Sequence, residues 1–145
     1  MSCTGLKGHV EVVLTNKPGD RQRLVEQLQA FAREMQLPKA ALQAADLALE
    51  EHLTNVINYG YEDKGTHEIL VRLEIEAGAL LVEVFDDGRP FNPLQRPEVD
   101  TTVPLDEKPI GGLGVHLMRK FMDELDYRRE DGKNVFRMRK KLITT

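Results

Sequence analysis

The sequence predicts an α+β fold, a two-layer α/β sandwich in which helices cover one face of a mostly antiparallel mixed sheet. Three observations predict it. Short stretches rich in β-branched residues alternate apolar and polar positions, longer stretches repeat apolar residues at helical spacing, and turn residues separate them. The predicted order is strand, two helices, two strands, a long loop, a helix and two strands. The 145 residues suit a single domain over 1–145.

The first half of the chain predicts one strand and two helices. Residues 9–15 are rich in β-branched side chains and predict a strand. Helical spacing of apolar residues then predicts a helix over 21–35, with Asp20 as its N-cap. The second helix follows and is predicted to stop at Gly60. Its apolar stripe is Leu42, Leu49, Leu53 and Val56.

The second half predicts two hairpins on either side of a loop and a helix. Residues 68–75 alternate apolar and charged side chains, and 80–85 form the more apolar second arm. The region 93–112 contains four prolines and no clear period, which is typical of a functional loop such as a lid. A third helix follows, and the closing hairpin turns at Asp131-Gly132. The apolar face of that helix is Leu117, Met118, Phe121 and Leu125.

Composition argues against several function classes. The formal net charge of −4 disfavours non-specific nucleic-acid binding, which needs a surplus of Lys and Arg on the docking surface. No apolar run is long enough to span a bilayer, so no membrane association is expected. The single cysteine, Cys3, cannot form an intramolecular disulfide, and no signal-peptide pattern opens the chain. A cytoplasmic location is therefore expected.

Glu51 and Asn55 form the first of three candidate ligand-binding segments. Four residues apart on a helix, they share one face and can converge on one ligand. An amide oxygen is a good ligand for Mg²⁺ that bridges phosphates, and a carboxylate one turn away can orient or deprotonate a nucleophile. Glu50 lies about 100° around the helix, so only one of the two glutamates can share the face of Asn55. Spacing alone favours an ordinary solvated helix face.

Two glycine-containing segments are the other candidates. Asp86 ends a central strand, where a carboxylate can accept a hydrogen bond from an exocyclic amine such as that of adenine, and Gly88 lets a flat ring lie against the backbone. The alternative is a solvated Asp-Gly turn. Glycines 111, 112 and 114 open a helix and suit a phosphate chain, because backbone N–H groups can approach an anion there. An ordinary turn is the alternative, and no P-loop pattern occurs.

The order of these segments resembles a known family. Glu51-x-x-x-Asn55, Asp86-x-Gly88 and Gly112-x-Gly114 look like the N, G1 and G2 boxes of the GHKL ATPases, whose fold is the Bergerat α/β sandwich. The stretches 51–61, 86–93 and 111–118 look most like those of the small stand-alone bacterial anti-sigma-factor serine/threonine kinases. The run 118–125 also looks like the third helix of that family. The resemblance covers nearly the whole chain.

The resemblance implies a role for each of these residues. Asn55 would coordinate Mg²⁺, and Glu51 would be the general base or its equivalent. Asp86 would bind the adenine amine of ATP, with Gly88 beside the ring. The phosphates would lie on Gly112, Leu113 and Gly114, under a lid over approximately 93–112 in which Lys108 is the available cation.

The same resemblance implies the function. We expect an ATP-dependent serine/threonine protein kinase and anti-sigma regulatory factor of the partner-switching type. It would bind a sigma factor or similar client in one state and phosphorylate a STAS-domain anti-anti-sigma protein in another, and it would form a homodimer as the family does. The alternative is an ATP-gated module that sequesters its partner with negligible kinase activity. The catalytic half of a histidine kinase fits less well, because a dimerisation and phosphoacceptor domain would have to come from another chain.

Overall fold

The computed structural model describes residues 3–6, 8–63, 65–95 and 112–142, with the backbone alone for 3–6 and 112–115. Nine elements form its regular structure, and a 3₁₀ turn at Pro93–Gln95 follows the fourth strand. Lys108 and most of the predicted lid lie outside the described residues. The elements are β1 (Cys3–Leu6), β2 (His9–Thr15), α1 (Asp20–Glu34), α2 (Lys39–Tyr59), β3 (Glu68–Glu76), β4 (Ala79–Asp86), α3 (Gly112–Phe121), β5 (Glu124–Glu130) and β6 (Lys133–Lys141).

The six strands form one sheet in the order β1-β2-β3-β4-β6-β5. Every pairing between neighbours is antiparallel in the described part of the chain. The predicted α+β sandwich is confirmed. Strand β1 was not predicted, because Cys3-Thr4-Gly5-Leu6 is short and contains a glycine, and only its pairing with β2 gives it strand structure. The register places Asp86 at the end of β4 directly opposite Asn134 on β6.

The helices pack on one face of the sheet. Alternate residues of the strands, such as Val12 on β2 and Val82 on β4, share a buried core with Leu28 of α1 and Leu53 of α2. Met118 of α3 is fully buried in the same cluster. No described helix meets the length and apolarity that crossing a membrane requires.

The opposite face of the sheet carries a row of ion pairs. Arg72 on β3 lies 3.3 Å from Glu11 on β2 and 3.5 Å from Glu83 on β4. Arg128 on β5 reaches the same Glu83 at 3.9 Å. Side chains that alternate between a core face and a charged face explain why these strands were predictable from their period.

Two local predictions were wrong. Asp20 is the first residue of α1 and not its N-cap, which is Gly19. The Asp20 carboxylate instead accepts hydrogen bonds from the backbone N–H and the hydroxyl of Thr15, at 2.7 and 2.6 Å, and so joins the end of β2 to the start of α1. Helix α3 ends at Phe121, so the helix expected over 118–125 is too long, and Leu125 belongs to β5.

The early end of α3 has a physical cause in the sheet. The backbone N–H of Asp123 donates to the carbonyl oxygen of Arg139 at 2.9 Å, and its carboxylate accepts from the backbone N–H of Lys141 at 2.7 Å. These bonds to β6 draw the chain out of the helix two residues after Phe121. Pairing with β6 therefore overrides a sequence that keeps helical spacing to Leu125.

Candidate functional site

Helix α2 places Glu51 and Asn55 one turn apart near its C-terminal end, as predicted. The solvated-face alternative fails for Asn55, whose side chain is only 3% exposed. Glu51 is half-buried. Glu50 points elsewhere, since its carboxylate lies 3.3 Å from the guanidinium of Arg21 on α1. Of the two glutamates, Glu51 is the one whose carboxylate has no ion-pair partner among the described residues.

The Asn55 side chain carries an unsatisfied polar group. Its amide nitrogen is buried and has no hydrogen-bond partner in the described part of the chain. A buried amide without a partner destabilises a fold by about 1–3 kcal/mol. Proteins retain such groups mainly where a ligand or a reaction uses them. Mg²⁺ takes oxygen ligands, so the ion would be held by the amide oxygen of Asn55, whereas the buried N–H group keeps the capacity to donate to an oxygen of a bound ligand.

Asp86 is a buried carboxylate at the end of β4. Its side chain is 3% exposed, and burial raises its pKa above the usual range for aspartate. Oδ1 accepts from the backbone N–H of Gly88 and from the side-chain amide of Asn134, both at 2.9 Å. Both hydrogen bonds that the described residues make to this carboxylate end on Oδ1, so Oδ2 keeps its capacity to accept from a ligand.

Gly88 brings the turn after β4 against the end of α2. A Cβ at this position would lie 2.5 Å from the carbonyl oxygen of Gly60 and 2.9 Å from Oδ1 of Asp86. The next residue, Arg89, donates from its backbone N–H to that same Gly60 oxygen at 2.8 Å and from Nε to the Tyr59 carbonyl oxygen at 2.7 Å. The predicted first and second segments are therefore adjacent in space and bonded through their backbones.

The third segment begins α3, which packs against α2. The helix begins at Gly112, so Gly112, Leu113 and Gly114 form its first turn, as predicted. Backbone N–H groups in the first turn of a helix lack intrahelical partners and carry a partial positive charge, which suits phosphate binding. Gly111 and Lys108 lie outside the described residues.

Three residues that surround Asp86 were not predicted from the sequence. Asn134, 4% exposed, donates to it from β6. Arg129 on β5 donates to the carbonyl oxygen of Gly88 at 2.8 Å. The hydroxyl of Tyr61 is buried without a described partner, and burial together with the charges of Asp86 and Asp87 raises the pKa of this phenol. Asn134 lies opposite Asp86 through the pairing of β6 with β4, which the predicted closing hairpin alone does not specify.

Comparison with known proteins gives the family. Residues 14–140 match the family described as the histidine kinase-like ATPase domain. The chain belongs to this family. The predicted resemblance to the GHKL ATPases is thereby confirmed. The ATPase domain spans most of the chain and includes all three segments described above.

Individual relatives agree with this assignment. The ATPase domain is similar to a serine/threonine-protein kinase, BtrW, of Bordetella bronchiseptica, with 30% identity over 61% of this chain and 62% of that protein. It is similar to an anti-sigma F factor of Thermoanaerobacter, with 31% identity over 72% of each chain. The match thus spans less than two thirds of the Bordetella kinase.

A solved structure supports the fold. The ATPase domain superimposes on a crystal structure of the RsbU and RsbW domains of a Mycobacterium tuberculosis protein with a TM-score of 0.65. Sequence identity is 15%, and the match covers 92% of this chain and 32% of that one. At this identity the likeness is one of fold.

Proposed function

We propose that the protein is an ATP-dependent serine/threonine protein kinase and anti-sigma regulatory factor of the partner-switching type. The observation that carries the proposal is the buried, unsatisfied amide of Asn55, with Glu51 one turn before it and the Asp86–Gly88 turn bonded to the end of the same helix. Relatives named as a serine/threonine-protein kinase and as anti-sigma F factors support the same activity.

ATP would be held at both of its ends. The Asp86 carboxylate, with Oδ2 available, accepts from the exocyclic amine of adenine, with Gly88 beside the ring. The first turn of α3, at Gly112, offers unpaired N–H groups to the phosphates. Asn55 belongs to α2, the helix that both the Asp86–Gly88 turn and α3 contact, and it would hold Mg²⁺, which neutralises charge on the phosphates when it is bound.

Glu51 would act as the general base. Its carboxylate accepts the proton of a substrate serine or threonine hydroxyl as that oxygen forms a bond to the γ-phosphorus and the bond to the β-phosphate oxygen breaks. The products are a phosphorylated side chain and ADP. Glu51 is suited to this because it is half-buried and has no described cation to hold it elsewhere, whereas Glu50 is engaged by Arg21.

The proposed partners are proteins. A sigma factor or similar client is bound in one state, and a STAS-domain anti-anti-sigma protein is bound and phosphorylated in the other, with the kinase itself acting as a homodimer. These partners are cytoplasmic regulators, so we assign the same location to this protein.

A label-transfer assay tests the proposal. Purified protein is incubated with Mg²⁺ and ATP labelled at the γ-phosphate, together with the STAS-domain protein encoded nearest its gene. Glu51→Gln is expected to bind ATP with affinity within about threefold of the wild type and to lower transfer by at least about 100-fold. Glu50→Gln is the matched control and is expected to keep transfer, since its carboxylate faces Arg21.

Each other result decides between alternatives. Binding of ATP without transfer to any STAS protein would favour the ATP-gated module that sequesters its partner. Undiminished transfer by Glu51→Gln would refute the assignment of the base. Absence of ATP binding would refute both functions.

A further inference from the structure

Asn134 makes four hydrogen bonds to described residues beside Asp86. From β6 its amide nitrogen donates to Oδ1 of Asp86 at 2.9 Å and to the carbonyl oxygen of Arg89 at 2.8 Å. Its amide oxygen accepts from the backbone N–H of Phe91 at 3.2 Å and from the hydroxyl of Tyr127. A side chain that is 4% exposed thus bonds one strand end, two positions of the following turn and the neighbouring strand.

These four bonds fill the hydrogen-bonding capacity of the amide. An asparagine side chain has two donor hydrogens and an oxygen with two lone pairs, and each is used here. The opposite orientation of the amide would set its oxygen against the Asp86 carboxylate and the Arg89 carbonyl oxygen, both acceptors, and its nitrogen against the Phe91 N–H, a donor. The orientation is therefore fixed, and Asn134 has no group left for a bound nucleotide.

We propose that Asn134 is a positioning residue for base selection: by occupying Oδ1 of Asp86, it turns Oδ2 of that carboxylate toward the exocyclic amine of adenine and disfavours guanine. The inference rests on the proposed function, in which Asp86 binds the adenine of ATP. It assigns Asn134 an effect on the base that acts through Asp86 and not through contact with the nucleotide.

Selection follows from the chemistry of the two purines. Adenine presents an amine at position 6, which donates to a carboxylate oxygen, whereas guanine presents a carbonyl oxygen, which is repelled by it. Discrimination of this kind is large only when the protein group is held in a fixed orientation in a buried site. Without Asn134, the one bond that the described residues still make to the Asp86 carboxylate comes from the Gly88 N–H, and the carboxylate can rotate about its side-chain torsions.

The first test removes the hydrogen bonds of the Asn134 amide and keeps a side chain of similar volume. Asn134→Leu is expected to weaken ATP binding by about tenfold and to leave GTP binding within about twofold, so that the ATP-to-GTP affinity ratio falls by about tenfold. Tyr127→Phe is the control in the same network, because it removes a hydroxyl from Asn134 without touching Asp86, and its ratio should stay within about twofold. An unchanged ratio in folded Asn134→Leu would overturn the proposal.

The second test keeps the size and shape of the side chain and uses pH. Asn134→Asp sets a second carboxylate against Asp86, and two carboxylates this close cannot both ionise readily, so they share a proton at low pH. That proton lies where the Asn134 N–H lay, and ATP affinity relative to wild type is expected to rise as pH falls from 8 to about 5.5. Within the described residues, the other charged or titratable groups that face Asp86 are Asp87, Arg129 and Tyr61, which both proteins share.

Controls separate this effect from loss of structure. Gln29→Glu makes the same amide-to-carboxylate change at an exposed position of α1 and should leave ATP affinity unchanged across this range. A ratio of Asn134→Asp to wild-type affinity that is flat with pH would overturn the proposal, because a purely structural defect would not recover on protonation.

Asp86→Ala distinguishes failure of the proposed adenine pocket from failure of the proposed role of Asn134. If Asp86→Ala binds ATP as tightly as the wild type does, then the proposed adenine pocket is wrong, and the role of Asn134 falls with it. If Asp86→Ala loses ATP affinity and Asn134→Leu does not, then the pocket stands and the role of Asn134 is overturned. If both lose it and the double variant is no weaker than Asp86→Ala alone, the two residues act as one unit, as proposed.

Discussion

Gly88 lies so close to Gly60 that the only side chain that fits is a hydrogen atom. A Cβ on Gly88 would be 2.5 Å from the Gly60 carbonyl oxygen, and that oxygen already accepts from the Arg89 N–H at 2.8 Å. The turn after β4 and the end of α2 are thus in direct backbone contact, and the Arg89 side chain adds a hydrogen bond to the Tyr59 carbonyl oxygen. This contact holds the Asp86 carboxylate at a fixed distance from the helix that carries Asn55.

Gly88→Ala should separate the two segments. The added methyl group meets backbone on one side and the Asp86 carboxylate on the other, so we expect unfolding to become easier by about 1–3 kcal/mol and ATP affinity to fall at least about tenfold. Thermal unfolding and nucleotide titration measure the two effects. Gly19→Ala is the control, because a Cβ there meets nothing within 4 Å. Normal stability and ATP affinity in Gly88→Ala would contradict the observed contact.

Asn55→Leu should stabilise the protein without nucleotide and abolish its stabilisation by Mg-ATP. The variant replaces an unsatisfied buried amide by an apolar group of similar shape, so the free energy of unfolding without nucleotide should rise by about 1 kcal/mol. The increase in melting temperature that Mg-ATP gives the wild type should disappear. Calorimetric melting with and without Mg-ATP measures both. A variant destabilised in the absence of nucleotide would mean that the Asn55 amide is satisfied.

His52 should make the protein sensitive to acid. Its ring is buried and stacked on Phe136 at 4.3 Å, neither ring nitrogen has a described partner, and burial lowers its pKa from 6.5 to about 3. Below pH 6.5 the unfolded chain takes up a proton that the folded chain refuses until about pH 3. The stability contributed by the neutral ring is therefore fully present above pH 6.5. It decreases as the pH is lowered from 6.5 towards 3, by at most about 1.4 kcal/mol per pH unit.

His52→Leu tests this pH dependence. Between pH 7.5 and 5.0, the wild type should lose about 2 kcal/mol of unfolding free energy at this residue, and the variant should lose that much less. Denaturant unfolding at several pH values measures the difference. His116→Gln, at an exposed position of α3, is the control and should keep the wild-type pH dependence. If the free energy of unfolding changed with pH equally in His52→Leu and the wild type, His52 would not be the source of the acid sensitivity.

The candidate site was largely predictable because its parts are local in sequence. A four-residue spacing on a helix, an Asp-x-Gly after a strand and glycines at a helix start each depend on neighbours in the chain, and their order gave the family. Asn134 and Tyr61 could not be found in this way. Their importance comes from burial beside Asp86, which is a product of tertiary packing and leaves no pattern in the sequence.

The fold was predicted from the spacing of apolar residues. The prediction failed where a segment can form either a helix or a strand. Residues 118–125 keep helical spacing, yet Leu125 joins β5 because hydrogen bonds to β6 outweigh helix propensity. Strand β1 has no alternation of its own and exists because the edge of β2 is available. Asn55 was placed on the solvated side by its spacing, although the segments packed around α2 bury it.

Arg129→Met should weaken ATP binding most at low pH. Its guanidinium bonds the Gly88 carbonyl oxygen at 2.8 Å, and its charge opposes the burial that raises the pKa of Asp86. Without it, Asp86 protonates at a higher pH, and a neutral carboxyl group is a weaker acceptor for the adenine amine. As the pH is lowered, Arg129→Met should therefore lose ATP affinity at a higher pH than the wild type does. Arg128→Met, whose guanidinium instead pairs with Glu130 at 2.6 Å, should follow the wild type.

Titration of the protein with nucleotide is the most direct test of the claim that Asn55, Asp86 and the start of α3 form one Mg-ATP site. We predict that Mg-ATP binds, that Asn55→Ala abolishes the binding, and that Asp86→Asn weakens ATP more than GTP because an amide presents a donor to the adenine amine. Calorimetry with both nucleotides, with and without Mg²⁺, gives these affinities. Wild-type ATP affinity in both variants would contradict the site.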